Sequence, residues 1–252
     1  MAQPSTALVT GAAKRIGAAI VRDLAAHGFN VAIHCNRSIA EANALATEVR
    51  TKGAKAAVVQ RDLAHEGAPA RIVREAVAAL GPLTLLVNNA SVFLKDRFGK
   101  LDAGTWQTQF DVNLRAPVFL AEAFAAQLPD GVEGNIINMI DQRVLKLTPE
   151  MPSYTLTKSA LWTATQTLAQ ALAPRIRVNG VGPGPTFPSP YAGDGGMTKE
   201  TSGIALKRPV DVADIGRAVR FLVETRSITG QLLLVDSGQH IGWQTPDIVG
   251  PG

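Results

Sequence analysis

Tyr154 and Lys158 stand four residues apart, so on a helix they share one face, a turn apart. An ammonium beside a phenol favours the phenolate and draws the phenol pKa down from about 10, which makes Tyr154 a usable proton donor in a reduction. Nearer the N-terminus an apolar run opens into Thr10-Gly11-Ala12-Ala13-Lys14-Arg15-Ile16-Gly17 and then a helical pattern. A glycine turn in that setting lets backbone N–H groups and a helix N-terminus hold a pyrophosphate. The next apolar run ends in His34-Cys35-Asn36-Arg37-Ser38, without the acidic residue that an NAD-preferring fold sets on the ribose 2′-hydroxyl. Arg37 and Ser38 instead offer a cation and a hydroxyl to a 2′-phosphate, which favours NADP.

Positioning these groups requires strands that end beside one another. Short apolar runs at 6–10, 31–34, 56–60, 83–88, 135–140, 176–181 and 231–235 alternate with helical patterns at 16–27, 39–52, 70–80, 106–127, 153–172 and 210–225. Such alternation predicts an α/β fold, one doubly wound domain whose seven-stranded parallel sheet carries helices on both faces. The pattern is interrupted between about 183 and 207, where Pro183, Gly184, Pro185, Pro188, Pro190, Gly193, Gly195 and Gly196 predict a long loop, read as a lid over a site.

The 252 residues are 46% apolar and 18% charged, enough hydrophobic material for a large core and too little charge for disorder. The net charge of +4 is spread along the chain, which argues against nucleic-acid binding. One cysteine, Cys35, and scattered histidines (His27, His34, His65, His240) offer neither a disulfide nor a zinc spacing. Without a leader pattern or a long apolar segment, the expectation is a cytoplasmic protein with no membrane partner.

Thr10-Gly11 with Gly17, Asp62, Asn88-Asn89-Ala90, Asn113 and Tyr154 with Lys158 together resemble the short-chain dehydrogenase/reductase family, from residue 7 to about 238. The resemblance implies a Rossmann sheet, a homotetramer, and cofactor contacts from Gly11, Ile16, Gly17, Asp62, Leu63, Asn89 and Ala90. It also implies that Lys158 and Tyr154 meet the nicotinamide ribose, that Pro183-Gly184 turns over the nicotinamide, and that Asn113 joins the catalytic set.

Position 141, thirteen residues before Tyr154, departs from the family: it holds Asp141 where a serine is usual, and no Ser or Thr occurs from 136 to 147. A serine can donate to a carbonyl oxygen gathering negative charge, whereas an ionised carboxylate only accepts and repels it. A substrate with ring N–H groups suits Asp141 better than a simple ketone. With Arg15 at a usual glycine position, Ser91 after Asn89-Ala90 and Phe93 beyond it, the chain resembles the pteridine reductase branch. That resemblance implies that Arg15 faces the cofactor phosphate and the pterin, Ser91 bonds the ring, and Phe93 stacks on it. The expected activity is NADPH-dependent reduction of a dihydropterin or related ring. The alternatives are a carbonyl or 3-oxoacyl reductase and a non-catalytic dinucleotide-sensing protein. Cys35 is expected to be a buried, inert thiol and His240 a solvated histidine, with Trp243 in a C-terminal tail suited to a subunit contact.

Overall fold

A computed structural model describes residues 5–189, 191 and 193–243. The apolar runs form β1 (Thr6–Val9), β2 (Asn30–Cys35), β3 (Ala56–Gln60), β4 (Leu85–Asn88), β5 (Gly134–Met139), β6 (Ile176–Pro183) and β7 (Leu232–Val235). They pair in parallel, in the order β3-β2-β1-β4-β5-β6-β7. The chain winds outward from β1 to β3 and then returns to set β4 on the other side of β1. That reversal opens a crevice at the carboxyl ends of β1 and β4, where a ligand fits between diverging connections.

The helices are α1 (Arg15–Ala26), α2 (Ile39–Thr51), α3 (Ala68–Leu80), α4 (Ala103–Phe110), α5 (Ala116–Gln127), α6 (Pro152–Leu172), α7 (Gly196–Ser202) and α8 (Val212–Glu224). Apolar faces of α1, α2 and α8 bury Ile20, Leu24, Leu45, Val49, Val219 and Leu222 against one side of the sheet. On the other side α3, α5 and α6 bury residues such as Ile72, Leu120, Phe124 and Ala169. Strands covered on both faces need continuous apolar runs, which is why no alternation marks them in the sequence. No helix among the described residues is long and apolar enough to cross a membrane.

Two expectations are corrected. The single helix expected at 106–127 is α4 and α5 joined through a π-helical turn at Asp111–Arg115. Pro117, at the start of α5, has no N–H to donate to the Asn113 carbonyl four residues back, so a regular ladder cannot run through this segment. The turn brings the Asn113 side chain fully inside. Within the expected loop the chain forms the short helix α7, while α8 begins two residues late because the Asp211 carboxylate caps it by accepting from the Ala213 N–H at 2.9 Å. Pro190 and the tail from 244 onward lie outside the described residues.

Candidate active site

At the end of β1 the turn is held by close backbone approach. Gly11 has φ +60, and a Cβ there would lie 2.8 Å from the Ala90 Cα, so both conformation and space favour glycine. A Cβ on Gly17 would meet the Asn89 amide nitrogen at 2.6 Å. That amide donates to the carbonyls of Thr10 at 2.8 Å and Gly11 at 3.0 Å, while the Thr10 hydroxyl accepts from the Asn89 and Ala90 N–H groups, each at 3.0 Å. Asn89 and Ala90 therefore brace the turn. The N–H groups of Ala13, Lys14, Arg15, Ile16 and Gly17 have no acceptor among the described residues. A row of unpaired donors entering a helix is the donor set that a pyrophosphate requires, so these residues fit a dinucleotide.

Arg15 adopts φ +52, which explains why glycine is usual at its position. Its guanidinium carbon lies 5.1 Å from the centre of the Phe187 ring, a cation–π contact with the loop after β6. Arg37 is exposed and Ser38 half-buried in the connection from β2 to α2. Asp62 follows β3, its carboxylate accepting from the Ala64 N–H at 2.9 Å, and Leu63 beside it is buried. The Gly184 N–H donates to the Val235 carbonyl at 3.0 Å, holding the Pro183-Gly184 turn against the end of β7.

Across the crevice, β5 delivers Asp141 and α6 delivers Tyr154 and Lys158. The start of α6 is anchored by Asp96, which accepts from the Ser153 N–H through its carboxylate and from the Met151 N–H through its carbonyl, each at 3.2 Å. The Tyr154 hydroxyl donates to Asp141 Oδ2 at 2.9 Å, and Asp141 Oδ1 accepts from the Arg143 N–H at 2.8 Å. Lys158, 2% exposed, donates to the Met139 carbonyl at 2.8 Å and stands 5.7 Å from the centre of the Tyr154 ring. The expected lowering of the Tyr154 pKa is overturned. Burial, followed by the Asp141 charge and hydrogen bond, holds this phenol well above its usual value. Lys158 is turned toward Met139 rather than bonded to the phenol, and burial lowers its own pKa to about 8 despite the nearby Asp141.

Asn113 is a clamp. Its amide donates to the Val92 carbonyl at 2.9 Å, and its oxygen accepts from the Val92 N–H at 2.8 Å and the Ser91 hydroxyl at 3.1 Å. It thereby fixes the segment that presents Phe93, whose ring meets Tyr154 edge-on with centroids 4.6 Å apart. Asp141, Tyr154, Phe93, Ser91 and Asn113 are thus brought together, and Arg15 joins the loop side through Phe187.

Sequence reasoning did not single out Phe187 or Tyr191. Tyr191 donates its hydroxyl to the Phe93 carbonyl at 3.2 Å and its ring lies 6.0 Å from that of Phe93. An aromatic residue among prolines and glycines was the available signal for both. His240 is not simply solvated: it is half-buried, with Nδ1 2.7 Å from Asp236 Oδ2. Cys35 is buried as expected, and burial, aided by Glu41, pushes its thiol up, away from the reactive thiolate.

Comparison with known proteins agrees with this architecture. The short chain dehydrogenase family matches residues 5–193. FolM alternative dihydrofolate reductase 1 from Brucella canis, solved with NADP, is 50% identical and superimposes with a TM-score of 0.92 over 98% of each chain. The Brucella suis protein of the same name, also with NADP, is 51% identical with a TM-score of 0.91, over 97% of this chain and 99% of that one. A 3-oxoacyl-[acyl-carrier-protein] reductase FabG of Staphylococcus epidermidis is 30% identical over 94% of this chain and 99% of its own length. A parallel sheet with its crevice at the β1–β4 reversal, the matched residues and these NADP-bound relatives make the chain an NADP-dependent oxidoreductase belonging to the short-chain dehydrogenase family.

Proposed function

We propose that the chain reduces a pterin, taking a dihydropterin or related dihydrofolate-type ring to its tetrahydro form. The observation that carries this reading is the hydrogen bond from the Tyr154 hydroxyl to Asp141 Oδ2. A ketone reductase needs donors around the oxygen that gains charge, and a carboxylate there repels it. A ring rich in N–H groups gives the same carboxylate something to accept from. The two Brucella relatives, half identical along nearly the whole chain, carry dihydrofolate reductase in their names.

NADPH, when bound, supplies the hydride. The unpaired N–H groups of the turn, with Gly11, Ile16 and Gly17, suit its pyrophosphate. Arg37 and Ser38 suit the 2′-phosphate, and the family resemblance assigns further cofactor contacts to Asp62, Leu63, Asn89 and Ala90. Lys158 and Tyr154 serve the nicotinamide ribose, and Pro183-Gly184 covers the ring.

Tyr154 is the proton donor, and its burial beside Asp141, which raises its pKa, favours the protonated phenol that the transfer requires. Asp141 orients that phenol and takes hydrogen bonds from the substrate ring. Phe93 provides a flat apolar wall, Ser91 and Arg15 meet the polar edge, and Asn113 holds the segment that places them. The loop at about 183–207 forms the outer wall through Phe187 and Tyr191. We place the enzyme in the cytoplasm, which suits a chain whose single cysteine makes no internal disulfide, and as a homotetramer on the family resemblance.

The FabG relative favours 3-oxoacyl reduction as the second reading. NADPH consumption with dihydrobiopterin, dihydrofolate and an acetoacetyl thioester separates the readings. Turnover of a pterin or folate is expected. Turnover of the thioester alone supports the second reading, and NADPH binding without turnover of any of them supports a sensing role.

A further inference from the structure

We infer that His34 is a positioning residue for the dinucleotide: its side chain and carbonyl decide which N–H groups of the glycine turn point into the protein and which are left for the phosphates. His34 lies near the end of β2 and is 1% exposed. Its Nδ1 accepts from the Gly11 N–H at 3.2 Å, and its carbonyl accepts from the Ala12 N–H at 2.8 Å. Its Nε2 donates to the Arg61 carbonyl at 3.0 Å, just beyond β3 and immediately before Asp62. One residue thus takes two consecutive donors of the turn, and the next five, from Ala13 to Gly17, remain unpaired.

The chemistry of the ring makes this arrangement specific. The bond to the Arg61 carbonyl puts the single proton on Nε2, which leaves Nδ1 with the lone pair that Gly11 requires. Burial lowers the His34 pKa to about 4, against the raising effects of the Arg61 carbonyl and of Asp62, so the ring holds that single proton at neutral pH. Its chain neighbours Ile33 and Cys35 are buried apolar residues, and the strand needs no polar side chain at 34 for its own ladder. What an aliphatic residue cannot supply is an acceptor for Gly11. The Asn89 amide holds the Thr10 carbonyl of the same peptide plane at 2.8 Å, so without His34 the Gly11 N–H still points inward but has lost its acceptor, and the turn relaxes away from its present shape to recover one. His34 therefore organises the turn before the cofactor arrives, and the benefit is read in binding. By bonding Arg61, the same ring also ties the pyrophosphate turn to the segment that carries Asp62.

The test uses NADPH as the probe and the full chain, by calorimetry or nicotinamide fluorescence, and needs no substrate. It is therefore independent of the pterin reading, and the two can fail separately. His34→Leu keeps bulk and removes the acceptor. His34→Asn keeps an acceptor close to where Nδ1 stands, and His34→Gln keeps the reach toward Arg61 without it. His34→Leu is expected to weaken NADPH about tenfold, and His34→Asn to recover most of that loss. Amide exchange at Gly11 should quicken in the Leu and Gln variants but not in Asn, and the ¹⁵N shifts of the native ring should show a protonated Nε2. A Leu variant that binds NADPH like the native chain, or an Asn variant that binds no better than Leu, overturns the inference. Should the Leu variant not fold, Asn binding more tightly than Gln supports it and equal binding overturns it.

Discussion

Around the ends of β1 and β2 the crevice is built mainly from main chain. Gly11 and Gly17 allow close approach, Thr10 and Asn89 bond carbonyls and N–H groups, and His34 takes two more N–H donors. Around the ends of β4, β5 and β6 it is built from side chains that converge from distant segments. Asp141 meets Tyr154, Phe93 packs edge-on against Tyr154, Asn113 clamps Val92, and Tyr191 reaches back to Phe93. The first region can accept any ligand carrying the same phosphates, because main-chain donors do not change with side-chain identity. The second is tuned one residue at a time. The cofactor is therefore shared across the family, while substrate choice rests on a handful of positions.

If the two regions are separable, variants on one side should leave the other's readout intact. Tyr154→Phe should lower kcat at least about 100-fold, the scale of a lost general acid, with NADPH affinity nearly unchanged in a direct binding measurement, because the one ribose contact it loses is small beside the pyrophosphate contacts that remain. A parallel loss of NADPH affinity breaks the separation. Arg37→Asp should narrow or reverse the NADPH preference, shifting the ratio of kcat/KM for NADPH over NADH by about tenfold or more, with kcat at saturating NADPH unchanged. Equal use of both cofactors by the native chain contradicts the role given to Arg37.

Lys158 bridges the regions, and pH reads it. It is charged below its pKa, so with that pKa lowered to about 8 the ammonium is lost as pH rises through about 8. Since Tyr154 is pushed upward, it does not set this limb. Reductase kcat/KM should fall above pH about 8, and Lys158→Arg, charged throughout, should move the fall to higher pH. The smallest effect is expected at the loop. Tyr191→Phe removes one exposed hydroxyl bond to the Phe93 carbonyl and should raise the substrate KM about two- to fivefold without touching NADPH affinity.

The same contrast explains what was legible in the sequence. The strands and most helices were readable because burial on both faces demands long apolar runs, and the glycine turn because its residues are contiguous from Thr10 to Gly17. Asp141 announced itself as a departure from the usual serine. The break at Asp111–Arg115 was hidden because a π turn keeps a helical pattern of apolar residues, with Pro117 as its single clue. The direction of the Tyr154 shift was misjudged because spacing alone reports that Lys158 is near. It does not report that the Met139 carbonyl holds the ammonium while the Asp141 carboxylate lies closer to the hydroxyl. Phe187 and Tyr191 act through the path of a loop, which residue types do not determine.

The central claim is that Asp141 sets the substrate class, and the most direct measurement is kcat/KM for a dihydropterin and for a model β-ketoester with the native and Asp141→Ser proteins. The account predicts that the native enzyme prefers the pterin and that Asp141→Ser loses pterin reduction about 10- to 100-fold while gaining activity on the ketoester, because a donor replaces an acceptor beside Tyr154. A native enzyme that ignores every pterin and folate but reduces the ketoester contradicts it.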